Sequence, residues 1–299
     1  MLEISNNARS LTSCWRLYKF HYVDKLVPRK KASHFILGSV IHKAFEMSGL
    51  GHTDAEVLDH IKQTYEELLK TTELVDQEQV RLDMFTAMGM WAYYPYKDLS
   101  DYSEYVPEME FKVKLKGKRG VRFVGRIDGL LKKDGKWWIR EVKTTGLTPR
   151  QFKGRSATSS QVTGYMYALR EMGYDVKGVM FDTIKKPLIR KRVADTCDDF
   201  GKRIMADYYG DSLVVDETQR KAYLRHHEYR SPIQIDHWLE DMNMLVDDIR
   251  SRKRTQQWYR NMDNCWRFNS LCDYSMLCNQ DVPDPTTQEV FFKQKEYEG

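Results

Sequence analysis

The sequence contains no apolar run approaching the roughly 18 residues that a membrane-crossing helix requires. Its start, MLEISNNARSLTSCW, lacks the basic-then-apolar layout of a secretory leader. These absences argue against a membrane channel or transporter and set the expectation of a cytoplasmic protein. No G-x-x-x-x-G-K-[ST] phosphate loop occurs anywhere, so a P-loop motor is excluded. Internal repeats and low-complexity tracts are also missing, which excludes solenoids and disordered tails as the main architecture. Cysteine is scarce, and its count of five is odd. In a chain without a leader, that leaves metal ligation or buried free thiols rather than a disulfide framework.

What is present suits a sizeable globular fold. The chain has 299 residues, 41% of them hydrophobic, enough to bury a substantial core. The net charge of +5 is modest, but the basic residues cluster as PRKK at 28–31, KVKLKGKRG at 112–120, IKKPLIRKR at 184–192 and RSRKR at 250–254. Any one such run is ordinarily a solvated face, whereas four together point to a polyanionic partner.

Over the first hundred residues, SLTSCWRLYKFHYVD, ILGSVIHKAFEMSG, DAEVLDHIKQTYEELLK and DQEQVRLDMFTAMGMWAYY place apolar residues three and four apart, which predicts helices. From Tyr105 the period becomes two. EMEFKVKL, VRFVGRIDGLL and KWWIREVKT read as an antiparallel meander with an Asp-Gly turn in KKDGK. SSQVTGYMYALREMG predicts a helix, VKGVMFDTI a strand and PLIRKRV a further strand. SPIQIDHWLEDMNMLVDDIRSRK is an amphipathic helix opened by proline, and a polar tail from Asp281 is expected to fray. These elements make an α/β (α+β) fold, a mixed central sheet flanked by helices.

The central strands carry charge where a sheet is normally apolar. Asp128 ends one strand, and Glu141 and Lys143 share a face of the next, with Val142 on the other. A surface ion-pair patch is the common explanation. The flanking Ile127, Leu130, Trp137, Trp138 and Ile139 argue instead for burial. Two buried carboxylates repel unless a cation lies between them, and oxygen ligands with open water positions suit Mg²⁺ or Mn²⁺. Such an ion polarises a phosphoryl oxygen, and an adjacent lysine orients or deprotonates the attacking water, so the pattern points to phosphodiester hydrolysis.

Asp128, twelve residues, then Glu141-Val142-Lys143 resembles the PD-(D/E)XK nuclease signature. The ordered set of GSVIHKAFE, GRID, EVKT and QVTGYMYAL, from Gly38 to Tyr165, is similar to the RecB-like branch of that superfamily. The resemblance implies a restriction-endonuclease-like fold and a metal held by His42, Asp128, Glu141 and the Val142 carbonyl. It also implies Lys143 as the residue that activates or positions water. Gln161 and Tyr165, four apart on one helix face, would serve the scissile region or Lys143. Ile127 stands where the family often has proline. An acidic residue from the first strand often accompanies the set, and Glu108 and Glu110 alternate equally well. SATSSQ, before the Gln161 helix, reads either as a phosphate site or as a simple N-cap.

Cys265, Cys272 and Cys278 follow the last long helix, far from Cys14. This layout resembles a RecB-like subgroup, including the AddB nuclease, CRISPR-associated exonucleases and phage relatives. In that subgroup one early and three late cysteines ligate a [4Fe-4S] cluster. Here the first late gap is six residues, longer than usual. By chemistry alone the thiols could be buried hydrophobes, a Zn²⁺ site or an iron–sulfur site. Cys197 falls outside the pattern and reads as a free thiol. The aromatics of YKFHY and WAYYPY could stack unpaired bases, but at helical spacing they read first as core.

The expectation is therefore three segments: 1–35 carrying the first cysteine, a nuclease core over 36–254, and a cysteine-rich cap and tail over 255–299. The expected activity is that of a metal-dependent DNA exonuclease in recombination, repair or replication, in a bacterial or phage-infected cell. Its partners would be single-stranded DNA or DNA ends and a separate helicase or recombination protein, with no membrane. The rival reading is an inactive nuclease-like DNA-binding subunit, against which the intact Asp128, Glu141 and Lys143 stand.

Overall fold

The computed structural model describes residues 1–29, 33–71, 76–267, 270–280 and 285–294. The chain divides into two compact units. One comprises Met1–Lys31, Lys112–Gly125 and Asp236–Gly299, and the other Ala32–Phe111 and Arg126–Ile235. The first unit opens with β1 (Leu2–Ile4), α1 (Asn6–Leu11), α2 (Trp15–Tyr18) and β2 (Leu26–Pro28).

The second, larger unit holds the charged strands. Its first helices are α3 (Ser33–Gly49), α4 (Asp54–Thr71) and α5 (Gln77–Ala92). Two long strands, β3 (Glu104–Lys114) and β4 (Val121–Lys133), cross the division between units and pair with each other. β5 (Lys136–Thr145) runs antiparallel to β4 and parallel to β6 (Val176–Lys185). A parallel pair needs a crossover, supplied by α6 (Pro149–Ala157) and α7 (Ser160–Glu171). After α8 (Cys197–Ser212), β7 (Tyr223–Glu228) closes antiparallel on β6. The sheet is mixed and flanked by helices, as expected.

Strand alternation explains the helical layer. Val142 and Ile184 join Ile41, Phe45, Trp91 and Tyr208 in a core shared by α3, α4, α5 and α8. Arg140, on the Val142 face, lies over the Phe45 ring at 4.6 Å. It meets Asp182 Oδ2 at 2.8 Å, and Asp182 also accepts from Arg225 Nε at 2.6 Å. YKFHY and WAYYPY behave mainly as packing: Tyr18, Trp91 and Tyr94 are buried.

In the first unit, β1 runs parallel to the start of β4, from Leu2 beside Val121 to Ile4 beside Phe123. α9 (Pro232–Thr255), with Pro232 in its first turn, lays Trp238 against Phe123 at 5.0 Å.

Several expectations need correction. PLIRKRV is an irregular loop. Pro187 removes a ladder donor, and the outer side of β6 is taken by β7, which sequence reading missed. α6 and α8 were also missed, although Thr148–Gln151 and Thr196–Asp199 form capping boxes at their starts. The tail is not uniformly frayed: Pro285–Phe291 is helical, and Phe292–Gln294 pairs antiparallel with β2. Residues 281–284 and 295–299, and Lys30 and Lys31 of the first basic run, lie outside the described residues. Among the described residues no helix is long and apolar enough to cross a membrane.

Candidate metal centre and active site

The hairpin of β4 and β5 turns on Asp134-Gly135, both at left-handed φ (53° and 73°), the two-residue turn that matches strand twist. Its ladder runs from Lys133 beside Lys136 to Gly129 beside Arg140, so the next step sets Asp128 opposite Glu141. There the Asp128 side chain replaces a main-chain acceptor, Oδ2 taking the Val142 N–H at 2.8 Å. A strand residue's N–H and C=O leave on the same edge, so the Val142 carbonyl faces the same gap. Gly129 is required beside it, because a Cβ there would lie 2.5 Å from the Tyr105 ring.

α3 brings His42 to this point, with Nδ1 3.2 Å from Asp128 Oδ1. Glu108 comes from β3, and one ligand atom each from His42, Glu108 and Asp128 lie within 4.8 Å of one another. The choice between Glu108 and Glu110 is thereby resolved. Glu108 follows Pro107 and adopts φ 48°, a strained conformation for a non-glycine residue, of the kind that collects at functional positions. Its carboxylate also meets Arg126 Nε at 2.7 Å.

Glu141 is fully buried, and Lys143 Nζ lies 2.5 Å from its Oε1. Glu141 Oε2 has no hydrogen-bond partner. Burial pushes the Glu141 carboxyl up to about 7, with Asp128 adding to the rise and Lys143 opposing it. For Asp128, burial also favours the neutral acid, but the His42 hydrogen bond and charge, Lys143 and the Val142 N–H outweigh it and lower its pKa. Burial opposes the charge on His42 and on Lys143. Asp128 nevertheless raises the first, and Glu141 with Asp128 raises the second. Burial raises Glu108.

The fully buried Glu141, with Oε2 unpartnered and the Asp128 carboxylate beside it, fits a hard divalent cation, and the oxygen-rich donor set suits Mg²⁺ or Mn²⁺. The remaining expected residues converge on the same point. Lys143 Nζ donates to Gln161 Oε1 at 3.3 Å, and Gln161 Nε2 donates to the Tyr165 hydroxyl at 2.7 Å. A cavity of about 660 Å³ opens over the centre, lined by His42, Glu108 and Lys143 and also by Phe35, Lys43 and Arg126. Sequence reading missed those last three, which no spacing marked out. Within SATSSQ, Ser156 lies in α6, and Ser159 holds the N-cap position of α7 without making a side-chain capping bond.

In the first unit, Cys14, Cys265, Cys272 and Cys278 line one small cavity. The two chain ends are tied there by Arg16 Nε donating to Trp258 O at 3.1 Å and Asn261 Nδ2 donating to Ser13 O at 3.0 Å. Among the described residues, no three of these sulfurs lie within 4.8 Å of one another. None of the five cysteines is in a disulfide. Cys197 lies at the start of α8 in the other unit.

Asp128 and the Glu141-x-Lys143 pair on the hairpin, with His42 and a third acid, Glu108, beside them, form a candidate divalent-metal centre. The chain belongs to the PD-(D/E)XK nuclease superfamily, whose family model matches residues 6–279. That membership carries nuclease activity dependent on a divalent metal as the general property of the group. Among solved structures, the crystal structure of SSO0001 is 14% identical, covering 85% of this chain and 99% of that one, with a TM-score of 0.31. Protein VC1899 from Vibrio cholerae is 12% identical, covering 63% of this chain and 58% of that one, with a TM-score of 0.23. No curated protein matches the chain.

Proposed function

We propose that the protein is a Mg²⁺- or Mn²⁺-dependent deoxyribonuclease of the RecB-like type, an exonuclease acting on single strands or DNA ends in recombination, repair or replication. The observation that carries the reading is the grouping of His42, Glu108 and Asp128, whose ligand atoms lie within 4.8 Å of one another, beside the fully buried Glu141 and its ion-pair partner Lys143. His42, Glu108, Asp128, Glu141 and the Val142 carbonyl would hold the ion. When bound it supplies Lewis-acid polarisation of a phosphoryl oxygen.

The chain's own groups do the positioning. Burial lowers the Lys143 pKa but Glu141 and Asp128 raise it overall, which favours the ammonium, and Lys143 would activate or position the attacking water. Gln161 receives one Lys143 hydrogen bond and is braced by Tyr165, which fixes the ammonium's direction. Burial of Glu141 makes the site costly without a cation and therefore selective for one.

The four cysteines are proposed to hold a [4Fe-4S] cluster in a cap over 255–299 that joins residues 1–35 and flanks a nuclease core over 36–254. With no phosphate loop in the sequence, unwinding would come from a helicase partner. The test is incubation of end-labelled single-stranded and duplex DNA with Mn²⁺. Shortening from an end supports the reading, and intact DNA in every case supports an inactive DNA-binding subunit.

A further inference from the structure

A second cavity, of about 370 Å³, opens on the other side of Lys143. Its floor is apolar, made by Leu147, Phe152 and Phe181, while Lys143, Arg155, Ser159 and Gln161 supply a polar rim. The floor is well packed: Phe181 stacks on His226 at 5.2 Å and meets Phe152 edge-on at 5.7 Å.

The wall is held rigidly. Ser156, buried beside Arg155, has its Oγ 2.7 Å from His226 Nε2 and 3.1 Å from Glu228 Oε1. Arg230 donates to the Ser156 carbonyl at 2.9 Å. The α6 capping box fixes the start of that helix. These contacts pin α6 to β7 and leave Arg155 exposed at the rim. Ser159 caps α7 by position only, its hydroxyl being unused for capping, and a helix start presents N–H groups that its own backbone cannot satisfy.

Two cations, a hydroxyl and a helix start above an aromatic floor match a ligand with an anionic head and a flat, less polar body. We infer that this cavity is a subsite for one terminal nucleotide of the strand being cut. It takes the phosphate monoester on Arg155, Ser159 and the start of α7, and the nucleoside against Phe152 and Leu147. The volume suits a single nucleotide, at the lower end of small-ligand pockets. The inference rests on the nuclease reading and deepens it, since a pocket for one terminal nucleotide favours cleavage from ends. The same phosphate chemistry is offered by a strand terminus of either polarity and by a released mononucleotide.

The test is calorimetric titration of the full chain with thymidine 5′-monophosphate, thymidine 3′-monophosphate and thymidine. One monophosphate is expected to bind once per chain, and thymidine to bind about tenfold or more weaker. Arg155→Ala should weaken the monophosphate by a similar factor, and Arg155→Lys by less. Binding of neither monophosphate, or binding unchanged in Arg155→Ala, overturns the subsite. The preferred monophosphate identifies the end recognised, which Mn²⁺-dependent cleavage of strands phosphorylated at the 5′ or 3′ end should repeat. Cleavage without monophosphate binding removes the subsite and leaves the nuclease reading intact. Arg155-dependent binding by a chain that cuts no DNA upholds the pocket and removes the nuclease reading.

Discussion

Asp128 accepts the main-chain N–H of Val142 at 2.8 Å, one step beyond the last ladder pair of the hairpin. This single bond locks the carboxylate against β5 and sets it opposite Glu141, so the charges that look misplaced in a buried sheet become one site.

Asp182 is the structural counterpart on the neighbouring strand. Burial opposes its charge, but Arg140 and Arg225 outweigh burial and hold its carboxyl below the ordinary range. A depressed carboxyl stabilises the fold above its unfolded pKa, near 3.9, and that contribution is lost as pH falls through the lower folded value. Stability should therefore drop steeply in acid, and Asp182→Asn should flatten the drop. At pH 7 the same substitution leaves the buried Arg140 and the half-buried Arg225 guanidiniums without their charge partner and should cost about 3–5 kcal/mol. Urea denaturation across pH measures both effects.

Glu141 behaves in the opposite way. Its carboxyl is pushed up to about 7 by burial. In metal-free protein its contribution to stability falls as pH rises from the ordinary glutamate value of about 4.3 towards 7. A divalent cation competes with the proton, so the rise in Tm on adding Mn²⁺ should be larger at pH 8 than at pH 6. An equal rise at both pH values would mean that Glu141 is not a ligand.

DNA binding should weaken steeply with salt, as counterion release requires. Charge reversal at Lys185, Lys186 or Arg190 should each reduce the slope by about one. Lys191, which pairs with Glu78, should matter less. Affinity measured at several salt concentrations decides this, and a flat dependence would make the loop after β6 a structural element only.

Cys14→Ala and Cys272→Ala should lower stability and promote proteolysis, because both line the cavity where the chain ends meet, whereas Cys197→Ala should be nearly silent. Protein purified without oxygen should be brown and carry about four iron and four sulfide per chain. A colourless protein with one zinc, or with every thiol freely titratable, would remove the cluster and leave the metal centre untouched.

The hairpin, its Asp-Gly turn and the placing of Asp128 beside Glu141 and Lys143 were legible because they depend on local rules of period two and tight-turn chemistry. His42, Gln161 and Tyr165 were legible only through the family resemblance, helical spacing adding that Gln161 and Tyr165 share a face. Glu108 could not be separated from Glu110, since the distinction lies in a left-handed backbone angle after Pro107 that alternation does not encode. β7 was missed because HHE and its flanks carry no apolar alternation: its residues are fixed by pairing with β6 and by the Arg225–Asp182 bond. The strand expected at PLIRKRV failed for the complementary reason. Its Leu188 and Ile189 pack onto the helical core from a loop, and burial without a ladder partner makes no strand.

The most direct test of the metal-dependent nuclease is turnover of a labelled single strand with Mn²⁺ by the native chain and by Lys143→Ala, with DNA affinity measured on the same samples. The expected result is cleavage by the native chain and a loss of about 10²-fold or more in the variant, with affinity little changed because phosphate contacts elsewhere carry it. Near-normal turnover by Lys143→Ala would contradict the positioning role of Lys143, and a native chain that binds DNA without cutting it would contradict the nuclease itself.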